Sequence, residues 1–200
     1  MLSRRSRLYA FAIIALNLVM LSLLVACASK QGKDDPDEST SIDPILVDDN
    51  KPVGGYYDYL GGIDYDSSII AMVYEPLEGE DEPGIQYRRV TDLEGLLSSG
   101  QTDVMIYFYT HMSSDVQGVT AGVEDLAQGL NGQLLVISVD AMQEQPLTEQ
   151  YQLQALPEFV IVKDGEVEGL FEGYKYDYWT MDDVSAWIES YGYTIDYDLL

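Results

Sequence analysis

Ala155-Leu156-Pro157-Glu158-Phe159-Val160-Ile161-Val162-Lys163-Asp164-Gly165-Glu166-Val167-Glu168-Gly169-Leu170-Phe171 is the stretch that decides the fold. Asp-Gly between two apolar runs is a strong short-range signal for a two-residue β-hairpin, because both residues tolerate the left-handed backbone of a type I′ turn. The spacing predicts strands over 159–163 and 166–171. Pro157 has no N–H to give to a ladder, so the first strand starts after it.

Working outward from the hairpin, Thr180 can cap a helix whose Val184, Trp187, Ile188 and Tyr191 share one face and which Gly192 ends. Upstream, residues 104–109 and 134–139 are unbroken apolar runs, the pattern of strands covered on both faces. Val116, Val119, Val123, Leu126, Ala127 and Leu130 lie between them at helical spacing, so strand, helix and strand form a crossover with parallel strands. Pro146 suits the first turn of a short helix reaching about Leu153. Thr91-Asp92-Leu93-Glu94 is a capping-box pattern opening a helix to Leu97, preceded by a strand over 85–90. The order is β-α-β-α-β-α-β-β-α, an α/β protein with a central mixed sheet flanked by helices.

That order, with Ala155-Leu156-Pro157 ahead of a strand, then Lys163-Asp164-Gly165-Glu166-Val167 and Gly173, resembles thioredoxin over about residues 85–192. The resemblance implies a thioredoxin-like fold and a cis peptide bond at Pro157. Counted back from Pro157 without a gap, the redox Cys-x-x-Cys positions fall on Ser113-Ser114-Asp115-Val116. The family's buried acid falls on Tyr107 and its lysine partner on Ser138. Cys27 is the single cysteine of the chain. Thiol exchange needs a thiolate attacking a disulfide sulfur, so this domain is expected neither to reduce, oxidise nor isomerise disulfides. Ser113 would become a nucleophile only with a base in hydrogen-bond reach and a group orienting that base. The expectation is instead that Ser113, Ser114 or Asp115 caps the following helix, and no catalytic residue is assigned. The resemblance further implies a groove for an extended peptide, held by backbone hydrogen bonds and lined by His111, Met112, Ser113, Leu156, Pro157 and Gly173.

Ahead of this domain, Arg4, Arg5 and Arg7 precede an uncharged segment from Leu8 to Ala26, the layout of an export signal. Leu24-Val25-Ala26-Cys27 resembles the bacterial lipobox, which implies cleavage before Cys27 and acylation of its sulfur, palmitate included. The protein is then expected to be lipid-anchored on the extracytoplasmic face of a cell membrane or outer membrane. An uncleaved spanning helix is the alternative, since about 20 apolar residues cross a bilayer. The twin arginine of Ser3-Arg4-Arg5 is a third, disfavoured by the strongly apolar core behind it.

The expected organisation is a signal over 1–26, an acidic flexible tether over 27–53, a Tyr/Gly-rich extension over 54–83, the thioredoxin-like domain over 84–192 and a tail over 193–200. Residues 28–51 are mostly Ser, Lys, Asp, Pro, Glu and Thr, too polar to bury a core. In the extension Tyr56, Tyr57, Tyr59 and Tyr65 alternate with glycines and are expected to pack on the domain. Ile69, Ile70, Met72 and Val73 form a strand-like run that can pair with 85–90 as a hairpin.

The formal net charge is −25 and becomes −28 once the three arginines ahead of Cys27 are removed. Such a surface repels phosphate backbones and excludes nucleic-acid binding as an expectation. Asp58, Asp64, Asp66 and Asp177 do not have the spacing of an EF-hand loop, and with His111 the only histidine a zinc site is not expected either. No metal or cofactor is implied. The leading expectation is a redox-inactive protein- or peptide-binding module. An accessory component of an envelope thiol-disulfide system and a structural envelope protein are the alternatives.

Overall fold

Strand β4 (Val104–Tyr109) is where the sheet is organised, and its buried run Val-Met-Ile-Tyr-Phe carries side chains into both layers of core. The computed structural model describes residues 52–112 and 116–200. The expected signal, Cys27, the expected tether as far as residue 51, and Ser113, Ser114 and Asp115 lie outside the described residues. The side chain of Val116, first of the expected helical stripe, lies outside them too.

Around β4, the elements are β1 (Leu60–Ile63), β2 (Ile69–Pro76), β3 (Pro83–Val90), α1 (Leu93–Ser98), α2 (Val116–Leu130), β5 (Leu135–Asp140), α3 (Gln145–Gln150), β6 (Glu158–Lys163), β7 (Glu166–Phe171) and α4 (Met181–Ser190). The strands form one sheet in the order β1-β3-β2-β5-β4-β6-β7. Only β4 and β5 run parallel, which is why a helix has to carry the chain between them. All other pairs are antiparallel. Asp164 and Gly165 join β6 to β7 with φ of 51° and 82°, the left-handed pair expected from Asp-Gly.

Two apolar layers result. Val123, Leu126, Ala127 and Leu130 of α2 and Val184 and Ile188 of α4 close one face over Met105, Tyr107, Phe159 and Ile161. On the other face Leu93 and Leu96 of α1 cover Ile106, Phe108, Ile137 and Val160, with Leu147 and Tyr151 beside them. Alternate side chains of each central strand therefore point to opposite layers, as the pleat requires.

Residues 54–83 supply β1 and β2 to this same sheet. β2 pairs with β3 as the expected hairpin, and it also pairs antiparallel with β5, Ile69 opposite Val139 and Met72 opposite Val136. It therefore sits between β3 and β5. Its composition fits that place: Ile-Ile-Ala-Met-Val is apolar on both faces and suits a strand beside β5, whereas β3, which carries Gln86, Arg88 and Arg89, lies one place further out against the short β1. Tyr56, Tyr57 and Tyr59 pack on the second core layer, and Tyr65 stays 67% exposed. Two smaller expectations change. The N-cap of α1 is Asp92, which accepts from the Gly95 N–H at 2.8 Å, because the Thr91 hydroxyl donates to the Tyr59 carbonyl instead. Residues 193–200 dock: Ile195 is buried and the Tyr193 hydroxyl donates to Asp103 at 2.8 Å.

Candidate functional site

One end of the sheet collects four chain segments. β4 and β5 both leave by it, with Tyr109 opposite Asp140, so the turn holding His111 and Met112 starts beside the last residue of β5. β6 is antiparallel and begins there, Glu158 opposite Phe108, which brings Leu156 and Pro157 to the same end. β7 leaves by it with Phe171 opposite Phe159 and delivers Gly173. Five of the six expected groove residues thus belong to one end of the sheet, and Ser113 lies outside the described residues. The Leu156-Pro157 bond is cis.

The five are not equivalent. Met112 is 74% exposed. His111 is also exposed, and its Nδ1 lies 2.7 Å from Oδ2 of Asp140, a buried carboxylate. Leu156 leans on the second core layer and is half-buried, as is Pro157. Gly173 is buried, and a Cβ there would meet the Trp179 indole nitrogen at 2.6 Å. The tryptophan roof requires the glycine; the glycine is not an open groove wall.

Two buried carboxyls brace this end. Burial alone would push the Asp140 carboxyl up. Hydrogen bonds from the Gln143 side chain, His111 and the Met142 N–H outweigh burial together and hold it below the ordinary carboxylate range. Glu158 is pushed up, chiefly by burial; the Gln154 N–H opposes this, Glu172 adds to it, and the Ala155 N–H opposes it again. Its Oε2 is buried and has no hydrogen-bond partner among the described residues. The carboxyl therefore ties down the backbone of the loop ahead of Pro157 while keeping one oxygen unsatisfied.

Both acids escape a reading by periodicity. Asp140 sits at the end of an apolar run, and its role follows only from the parallel register that sets it beside the turn after β4. Glu158 adjoins Pro157 and reads as the last residue of a loop.

The positions where the resemblance places a carboxyl and a lysine hold Tyr107 and Ser138, directly opposite each other in the register. The Tyr107 hydroxyl lies 3.4 Å from Thr120 Oγ1, and burial raises its pKa, so it stays protonated. The Ser138 hydroxyl donates to the Ile70 carbonyl at 3.4 Å. Neither group takes up a proton at neutral pH. Among the described residues no cluster of His, Cys, Asp and Glu could hold a metal ion.

Residues 87–188 match the family model for Thioredoxin. The chain belongs to the thioredoxin family. Thioredoxin Y2, chloroplastic, of Arabidopsis thaliana is 28% identical over 80 residues, covering 40% of this chain and 48% of that protein. Thioredoxin Y, chloroplastic, of Oryza sativa subsp. japonica is 25% identical over 83 residues, 42% of this chain and 49% of that one. The chain thus spans about half the length of the curated relatives it matches. Among solved structures, a mutant thioredoxin from Halobacterium salinarum is 24% identical with a TM-score of 0.43, covering 54% of this chain and 88% of its own. Mitochondrial thioredoxin 3 from Saccharomyces cerevisiae is 18% identical with a TM-score of 0.43, covering 50% and 88%. With Cys27 as its one cysteine, this thioredoxin-family chain has no Cys-x-x-Cys pair.

Proposed function

We propose that this chain is a membrane-tethered, extracytoplasmic member of the thioredoxin family that binds an extended protein segment at the open end of its sheet and performs no thiol chemistry. The observation carrying this reading is Met112, an apolar side chain 74% exposed in the turn after β4, beside a histidine fixed by a buried aspartate. A thioether on three rotatable bonds adapts to varied apolar partners. Backbone groups at the end of a sheet can pair with an extended chain while neighbouring side chains choose its sequence. The tether rests on Leu24-Val25-Ala26-Cys27, where the only sulfur able to form a thiolate is consumed by acylation.

A photocrosslinking side chain placed at Met112 in living cells, followed by mass spectrometry, tests the reading. The same probe at Glu189, on the exposed side of α4, is the control. Adducts with one or a few envelope proteins from position 112 and not from 189 support it. Equal capture at both positions, or none at 112, contradicts it.

A further inference from the structure

The segment from Glu172 to Thr180 joins β7 to α4 and carries Tyr174, Tyr176, Tyr178 and Trp179. With the end of β7 and the first turns of α4 it forms a cleft of about 210 Å³ lined by Phe171, Tyr176, Tyr178, Trp179, Asp183 and Trp187. Phe171 is the hub of its rings. Tyr176 stacks on it at 5.6 Å and 19°, Trp179 meets it at 5.7 Å and 73°, and Trp187 meets it at 5.6 Å and 56°. The rings therefore meet Phe171 at different angles, and the cleft they line is not one flat platform. Tyr178, 82% exposed, is the most open of the lining aromatic side chains.

The electrostatics of the cleft have one sign. Asp183 stands at its rim, with Oδ2 accepting from the Thr180 N–H at 2.7 Å. Residues 172–183 include Glu172, Asp177, Asp182 and Asp183 against the single cation Lys175. That lysine is ion-paired with Glu172 and lies 5.9 Å from the centroid of the Tyr174 ring, outside the cleft lining. Aromatic faces attract a cation through their quadrupoles within about 6 Å, more strongly when water is excluded. A nearby carboxylate adds direct attraction.

We propose that this cleft is a binding pocket for an organic ammonium ion, either the ammonium of a lysine side chain or a quaternary ammonium headgroup. The pocket does not depend on the groove beside Met112, and its test reads a different part of the surface.

Trp179 and Trp187 are the only tryptophans of the chain and both line the cleft, so intrinsic emission reports on it directly. The full chain, held in a polyoxyethylene detergent free of sugar and ammonium groups, is titrated with choline and with Nα-acetyl-lysine amide. The comparison ligand is 3,3-dimethylbutan-1-ol, the neutral isostere of choline, and sodium chloride keeps ionic strength constant. A saturable emission change with an ammonium compound and none with the alcohol is expected, the stronger arm naming the source. Tyr178→Ala and Asp183→Asn should each weaken binding by about tenfold. Unchanged thermal midpoints would show that both variants remain folded. The proposal is overturned by an equal response to the alcohol, a response to cellobiose but not to ammonium compounds, no response to either ammonium compound, or an ammonium response that both variants retain in full.

Discussion

The two flanks of the β4–β5 pair are held by different chemistry. On one side β6 and β7 add apolar surface, and Phe159 is ringed by Tyr107 at 5.2 Å and by Phe171 and Trp179 at 6.0 Å. On the other side β2 and β3 add a buried ion pair, Arg88 Nη2 to Glu75 Oε1 at 2.6 Å, with the Tyr57 hydroxyl donating to the second carboxylate oxygen at 3.0 Å. The first flank falls inside the family match at 87–188, whereas β1 and β2 precede it. A strand can thus join the sheet from outside the matched region if both its faces are apolar and a satisfied polar clamp fixes its register. A slip of one residue would turn Glu75 to the opposite face and break the clamp.

Removing the centre of each flank should separate packing from clamping. Phe159→Ala empties the ring cluster and should cost about 4 kcal/mol of unfolding free energy, measured by denaturant titration. A cost under about 1 kcal/mol would mean that the cluster collapses around the gap.

Arg88→Ala leaves the Glu75 carboxylate buried without its opposite charge and should cost about 3 kcal/mol. Replacing both partners, Glu75→Leu with Arg88→Met, should recover most of that loss by the same titration, since packed apolar groups can substitute for a buried pair. If the double variant is as unstable as the single one, the flank depends on the charges and not on their mutual satisfaction.

The contrast between flanks also marks what the sequence discloses. Asp164-Gly165, the α2 stripe and the buried runs of β4 and β5 were legible because each depends on neighbours a few residues away. The place of β2 between β3 and β5 was not, since it rests on pairing Ile69 with Val139, seventy positions along the chain. Its one local hint is an apolar run uninterrupted by polar residues. At the candidate site, Met112 and Pro157 were legible from the resemblance, while the Asp140 partner of His111 and the Trp179 roof over Gly173 exist only through register and loop packing.

The two buried carboxyls at the site should respond to pH with opposite signs. Glu158 has a raised folded pKa, so the native state keeps its proton where the unfolded chain has lost it. Its contribution declines as pH rises from the ordinary carboxylate range through the raised value, and Glu158→Gln should gain about 1 kcal/mol at pH 7. Asp140 is held low, so its contribution is present above about pH 4 and is lost as pH falls through its folded value. Asp140→Asn should therefore cost stability at neutral pH and flatten the acid limb. Urea midpoints between pH 3 and 8 would show both trends; parallel curves for the two variants would contradict them.

Binding at the open end of the sheet without a thiol is the central claim, and the amide NMR spectrum of the protein during titration with extended peptides tests it most directly. Shifts confined to His111, Met112, Leu156 and Glu158, with Gly61 and Gly62 on β1 unmoved, are the predicted result. Peptides that move no signal at that end, or that move only the Tyr56 to Tyr59 segment, would contradict it.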